Sequence, residues 1–177
     1  MNLLIIEDEE NIINGIKRAF QSYCDFVKFI EAKDASEALA KIYAESSKKP
    51  DAIILDLMMS YGSNKETRTL LDADDDPMMT DAGVQILKQL RLKEDEDNRF
   101  FEHYPLYVAI ITARSEPLLH QELNRYLKGW GKIYAKPFNE DELVNDILYV
   151  FGKESKVIPE LLPSGYKVPE NRYGDRQ

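Results

Sequence analysis

Five polar residues stand directly after short apolar runs: Glu7 and Asp8 after Leu3 to Ile6, Asp56 after Ala52 to Leu55, Thr112 after Leu106 to Ile111, and Lys136 after Ile133 to Ala135. Any one of them has an ordinary reading as a helix cap, a loop hydroxyl or a surface charge. Their recurrence at the same place relative to successive apolar runs is what points to chemistry. Three carboxylates at contact distance cannot all stay ionised without a counter-charge. A hard divalent cation with oxygen ligands, Mg²⁺ above all, supplies one, and the Lys136 ammonium adds a second. A carboxylate nucleophile, a metal, an ammonium that binds an oxyanion and a hydroxyl donor together suit phosphoryl transfer to a carboxylate, where positioning and charge neutralisation do most of the work.

These residues converge only if the ends of the apolar runs meet. The runs Leu3 to Ile6, Phe26 to Ile30, Ala52 to Leu55, Leu106 to Ile111 and Ile133 to Ala135 are too short for core helices. They predict five strands buried on both faces, as in a parallel sheet. Between them, Ile12, Ile13, Ile16, Ala19 and Phe20 recur at helical spacing. So do Ala35, Ala38, Leu39 and Ile42; Val84, Leu87 and Leu90; Leu119, Leu123 and Tyr126; and Leu143, Ile147 and Phe151. Start signals agree: Asp34 precedes Glu37 by three, Ser115 is followed by Glu116 and Pro117, and Asn139 precedes Glu142 by three. Strand and helix alternating with right-handed crossovers give a doubly wound α/β fold, a three-layer sandwich with helices on both faces. Such sheets bind ligands beyond the carboxyl ends of their strands, where the strand order reverses.

Composition narrows the function. The 177 residues carry 23 Lys and Arg against 32 Asp and Glu, a net charge of −9. Most of it sits in two segments, 60–82 and 94–104, and no basic stripe of the kind that neutralises phosphates exists, so direct nucleic-acid binding is not expected. No apolar run reaches the roughly 20 residues that span a bilayer, and Glu7 to Glu10 replace a basic signal-peptide start. The chain reads as soluble and cytoplasmic. Cys24 is the only cysteine, which rules out an internal disulfide and reads as an apolar filler at a helix end. Residues 60–82 exceed a normal βα connection and are expected to form an acidic inserted loop outside the core. Residues 152–177, with Pro159, Pro163, Pro169, Gly165 and Gly174, read as a tail or linker. Asp72, Asp74 and Asp76 have the alternation of a calcium loop, but Pro77 takes the required glycine position. His103 and His120 have no partners at ligand spacing, and Trp130 reads as a loop anchor.

The sequences LLIIEDEENII (Leu3 to Ile13), IILDLMM (Ile53 to Met59), IITA (Ile110 to Ala113) and YAKPF (Tyr134 to Phe138) resemble the receiver domain of two-component response regulators, over about residues 2–151. The resemblance implies a flavodoxin-like sheet of order 2-1-3-4-5 and a receiver domain over 1–151. It implies that Asp56 is the phospho-acceptor, and that Asp8, Asp56 and the main-chain carbonyl of Met58 ligate Mg²⁺ with Glu7 acting through water. Thr112 would bond the phosphoryl group and Lys136 one of its oxygens, with a cis peptide between Lys136 and Pro137. The implied partners are a histidine kinase or histidine phosphotransfer protein, an effector domain or protein, and a second copy docked through the helix of Leu119 to Tyr126, the strand of Ile133 to Ala135 and the helix of Leu143 to Phe151. No membrane partner is implied, and no enzymatic activity beyond self-phosphorylation and autodephosphorylation.

The chain departs from that pattern in three ways. Asp56 and Gly83 are 27 positions apart, which displaces the family's Pro-x-Met-x-Gly turn and leaves Pro77, Met78, Met79 and Gly83 as its remnant. The family's aromatic switch position is Ile133, and the adjacent Tyr134 faces the other way along a strand, so coupling would run through Ala113 to Pro117. The residues after 151 are not expected to form a second globular domain, so no DNA-binding or catalytic output module is read from them. Two other functions compete: a pseudo-receiver scaffold whose binding ignores phosphorylation, although no acid, acceptor or lysine is lost, and a metal-dependent aspartate phosphatase of the haloacid dehalogenase type. The latter needs an acid two residues after its nucleophile, where Met58 stands.

Overall fold

A computed structural model describes residues 1–23, 25–43, 49–71, 81–96 and 106–154. Cys24, His103, the Asp72 to Asp76 group and the expected tail beyond Glu154 lie outside the described residues. In chain order the elements are β1 (Asn2–Ile6), α1 (Glu10–Ala19), β2 (Lys28–Ala32), α2 (Ala35–Ile42), β3 (Ala52–Asp56), α3 (Lys65–Leu70), α4 (Ala82–Glu96), β4 (Tyr107–Thr112), α5 (Pro117–Leu127), β5 (Gly131–Ala135) and α6 (Glu140–Glu154). No helix among the described residues is long and apolar enough to cross a membrane.

The five strands form one parallel sheet of order β2-β1-β3-β4-β5. Alternate side chains point to opposite faces, which splits the core in two. Leu4, Ile6, Ile53, Leu55, Val108 and Ile110 pack under α2, α4 and α5, whereas Leu3, Ile5, Ile54, Ala109 and Ile111 pack under α1 and α6. Order reverses between β1 and β3, so their carboxyl ends bound an open crevice.

Local chemistry sets the element starts. Asp34 Oδ1 accepts from the Glu37 amide at 2.8 Å and caps α2; Asn139 Oδ1 accepts from Asp141 and Glu142 at 2.9 and 3.2 Å and caps α6. For α5 the flanking residue is Glu116, not Ser115. Its side chain makes no cap, and Pro117, whose missing N–H needs no partner there, opens the helix. α6 continues through Glu154, past the expected tail boundary. β2 begins two residues later than its apolar run because the Phe26 and Val27 amides are spent on the Tyr23 carbonyl, and pairing with β1 starts at Lys28. Nor are β2 and β5 buried on both faces. They are the sheet edges, and most of their residues are only half-buried.

The inserted segment departs furthest from expectation. Asn64 Oδ1 accepts from the Glu66 and Thr67 amides at 2.8 and 3.2 Å, starting α3, which packs on α2. Tyr61 and Leu71, at 0% and 1% exposure, join the core between α2 and α4. Residues 61–71 are therefore a structural wall and not a loop outside the core. Leu71→Ala is expected to lower stability by about 2 to 4 kcal/mol, the loss typical of a buried leucine, read as a shift in urea midpoint. Deleting 60–76 removes Tyr61 as well and should lower the melting temperature sharply; a deletion that melts like the intact chain would show that this wall is dispensable.

Candidate functional site

Each expected residue lies at the carboxyl edge of the sheet. Glu7 and Asp8 follow β1, Asp56 ends β3, Thr112 ends β4 and Lys136 follows β5. One carboxylate oxygen each from Glu7, Asp8 and Asp56 falls within 4.8 Å of the others. Lys136 Nζ joins them, 2.9 Å from Glu7 Oε2 and 3.2 Å from Asp56 Oδ2. Its backbone is fixed by the bond from its amide to the Thr112 carbonyl at 2.7 Å, and the Lys136–Pro137 peptide is cis. The sequence missed Glu9, whose exposed carboxylate is 3.8 Å from the same ammonium.

Burial sets the electrostatics. Glu7 is wholly buried and Asp56 is 3% exposed, whereas Asp8 faces solvent. Desolvation pushes the Glu7 carboxyl up; the Lys136 ammonium pulls it back, and the Asp56 charge pushes it further. Asp56 is likewise held up by burial, against Lys136 and the Met58 amide, which donates to its Oδ1 at 3.3 Å. Burial alone would lower Lys136, but its bond to Glu7 and the charge of Asp56 outweigh that and hold the ammonium up. One ammonium thus serves two buried acids and leaves both above their ordinary values. A clustered oxygen set still short of positive charge, with one exposed ligand for approach, fits a hard divalent cation such as Mg²⁺.

The edge is sealed by close packing. A Cβ on Gly83 would lie 2.1 Å from the Asp56 carbonyl oxygen, so only glycine lets α4 start against the acceptor's backbone. Met59 and Asp81 meet in an isolated parallel bridge that closes the base of the insertion.

Thr112 is fully buried, and its Oγ1 accepts from the Arg114 amide at 3.0 Å. Arg114 Nη1 in turn donates to both carboxylate oxygens of Asp81 at 2.8 Å. The sequence did not reveal this pair, whose members are 33 residues apart. His120, expected on the surface, contacts the Arg114 carbonyl through Nε2 at 2.8 Å. Ile133 packs with the α2 to α5 core, while Tyr134 faces α6 and donates to Asp146 Oδ2 at 2.9 Å, so the two adjacent side chains point apart as their strand positions require. The half-buried Trp130 accepts from the Val108 amide through its carbonyl at 3.1 Å.

No family model matches the sequence, and no curated protein is significantly similar to it. Solved structures are. The Francisella response regulator 1452 receiver domain shares 21% identity at a TM-score of 0.59, covering 87% of this chain and 98% of its own. A two-component response regulator from Legionella pneumophila shares 22% at 0.57, covering 86% and 98%. A response regulator receiver protein from Pseudoalteromonas atlantica shares 12% at 0.61, covering 88% and 100%. The chain has the response regulator receiver fold.

Proposed function

We propose that this chain is a phosphorylation-controlled receiver of a two-component relay that takes a phosphoryl group on Asp56 and changes its protein contacts in response. The observation that carries the reading is Lys136 Nζ held between Glu7 and Asp56, with Asp8 beside them, at the crevice of a receiver fold. Asp56 attacks the phosphorus of a phosphohistidine on a kinase or phosphotransfer protein. The P–N bond breaks, its electron pair leaves on the imidazole, which takes up a proton, and an acyl phosphate forms. Asp8, Asp56 and the Met58 carbonyl would hold Mg²⁺, with Glu7 behind a water; the ion would neutralise phosphoryl oxygens and favour the charged forms of the buried acids. Lys136 positions one phosphoryl oxygen, and Thr112 donates its hydroxyl to another.

On this reading the protein is not an enzyme acting on an outside substrate, apart from its own phosphorylation and autodephosphorylation. It works in the cytoplasm, its partners are the kinase or phosphotransfer protein and an effector, and a second copy docks through α5, β5 and α6. Incubation with acetyl phosphate and Mg²⁺ tests the reading. Intact mass should rise by one phosphoryl group, and should fail to rise in Asp56→Asn or with EDTA. Equal labelling of Asp56→Asn would overturn the assignment.

A further inference from the structure

We propose that Arg114 is a positioning residue: by clasping Asp81 it holds the loop after β4 in its resting place and sets how readily Thr112 moves towards Asp56. The proposal rests on the reading of Asp56 as acceptor and adds to it a restraint on the loop that carries Thr112.

Arg114 is bonded from every side. Its amide donates to Thr112 Oγ1 at 3.0 Å, its carbonyl meets His120 Nε2 at 2.8 Å, and its Nε donates to Glu116 Oε1 at 3.1 Å. Three of these partners, Thr112, Glu116 and His120, lie on β4, the loop and α5, and travel with Arg114. Asp81 does not. Its backbone is bridged to Met59, three residues after the acceptor, and the Val84 and Gln85 amides bond its carbonyl at 3.1 and 3.4 Å. Two residues on, Gly83 is wedged against the Asp56 carbonyl. The bidentate contact from Nη1 to Asp81 Oδ1 and Oδ2, 2.8 Å each, therefore ties a loop that has to move to a turn that cannot follow.

If Thr112 is to donate to a phosphoryl oxygen on Asp56, its Oγ1 shifts and draws the Arg114 amide with it. The guanidinium must then let go of Asp81 or be stretched from it. The clasp stabilises the resting loop and not the switched one, so it opposes the phosphorylated form. Arg114 is 27% and Asp81 41% exposed, which keeps the contact weak enough to be broken.

Calorimetric titration with beryllofluoride and Mg²⁺, the fluoride complex standing in for the phosphoryl group, tests this. Arg114→Ala and Asp81→Ala should each bind beryllofluoride roughly two- to fivefold more tightly than wild type, the range open to a part-exposed ion pair. Arg114→Lys, which keeps the charge but loses the fork, should fall between. The double exchange Arg114→Asp with Asp81→Arg should return towards wild-type affinity, which a merely structural role would not do. Unchanged or weaker binding in the single variants, or an effect from only one of them, overturns the clasp. Failure of wild type to bind beryllofluoride overturns the acceptor reading itself, and the clasp with it. Wild-type binding that is lost in Asp56→Asn upholds that reading whatever the Arg114 variants do.

Discussion

Lys136→Ala is expected to slow labelling of Asp56 by acetyl phosphate about 100-fold or more, while Mg²⁺ binding is kept or tightened. The two effects have opposite signs for one electrostatic reason. In the transition state negative charge spreads over the phosphoryl oxygens, and a pre-placed cation in a buried crevice is worth most there; losing one such donor costs on the order of 10²-fold in rate. Lys136 is placed for that role, with only 15% of its side chain exposed and both buried acids within 3.2 Å. Before phosphorylation the same ammonium competes with a divalent ion for Glu7 and Asp56. Removing it leaves two buried carboxylates with no positive partner between them, and that set attracts a metal more strongly. Labelling rates by intact mass and Mg²⁺ affinity by titration separate the effects. Wild-type labelling by Lys136→Ala would take the lysine out of the reaction.

Arg91→Ala should destabilise the fold by about 3 kcal/mol or more, the largest loss expected from a residue away from the crevice. Arg91 is 2% exposed, and its guanidinium reaches across to backbone carbonyls of three other segments. Nε donates to Tyr126 at 2.8 Å, and Nη2 donates to Leu106 at 3.0 Å and Trp130 at 3.3 Å. Those carbonyls belong to the last turn of α5, the lead into β4 and the lead into β5, so one side chain from α4 ties three elements together. The carbonyl end of α5 also carries partial negative charge, which favours a cation there. Truncation would remove three hydrogen bonds from a charged donor, each worth about 1.5 to 3 kcal/mol, and open a cavity besides. Arg91→Lys should recover little, since a single ammonium cannot reach three carbonyls in a fork. Urea unfolding with unchanged slope is the measurement, and a loss under about 1 kcal/mol would show that other contacts hold these elements together.

Much of this was legible in the sequence where the signal is local. Strand ends, helix faces and the polar residue after each apolar run follow from periodicity over a few residues, and the site depends on little else. Asp34 and Asn139 announced their helices because a cap acts within one turn. What escaped was set at long range. β2 takes its limits from its partner strand, so its apolar run misplaced it by two residues. Tyr61 and Leu71 were hidden by the acidic composition around them, although Asn64 with Thr67 three residues later was a readable helix start. Arg91 looked like a polar position on an amphipathic helix, because its partners lie 15, 35 and 39 residues away. No spacing rule pairs Arg114 with Asp81.

The bridge between Met59 and Asp81 also has a meaning in polymer terms. It pinches the excursion into a ring whose two ends are held at a fixed separation beside Asp56. The entropy of closing such a ring grows only with the logarithm of its length, so doubling the chain inside adds about 0.6 kcal/mol. The acceptor is thereby insulated from the length of chain joined between the bridged residues. On that scaling, added chain between the bridged residues costs little, while Gly83 and the bridge keep the phosphoryl crevice in register.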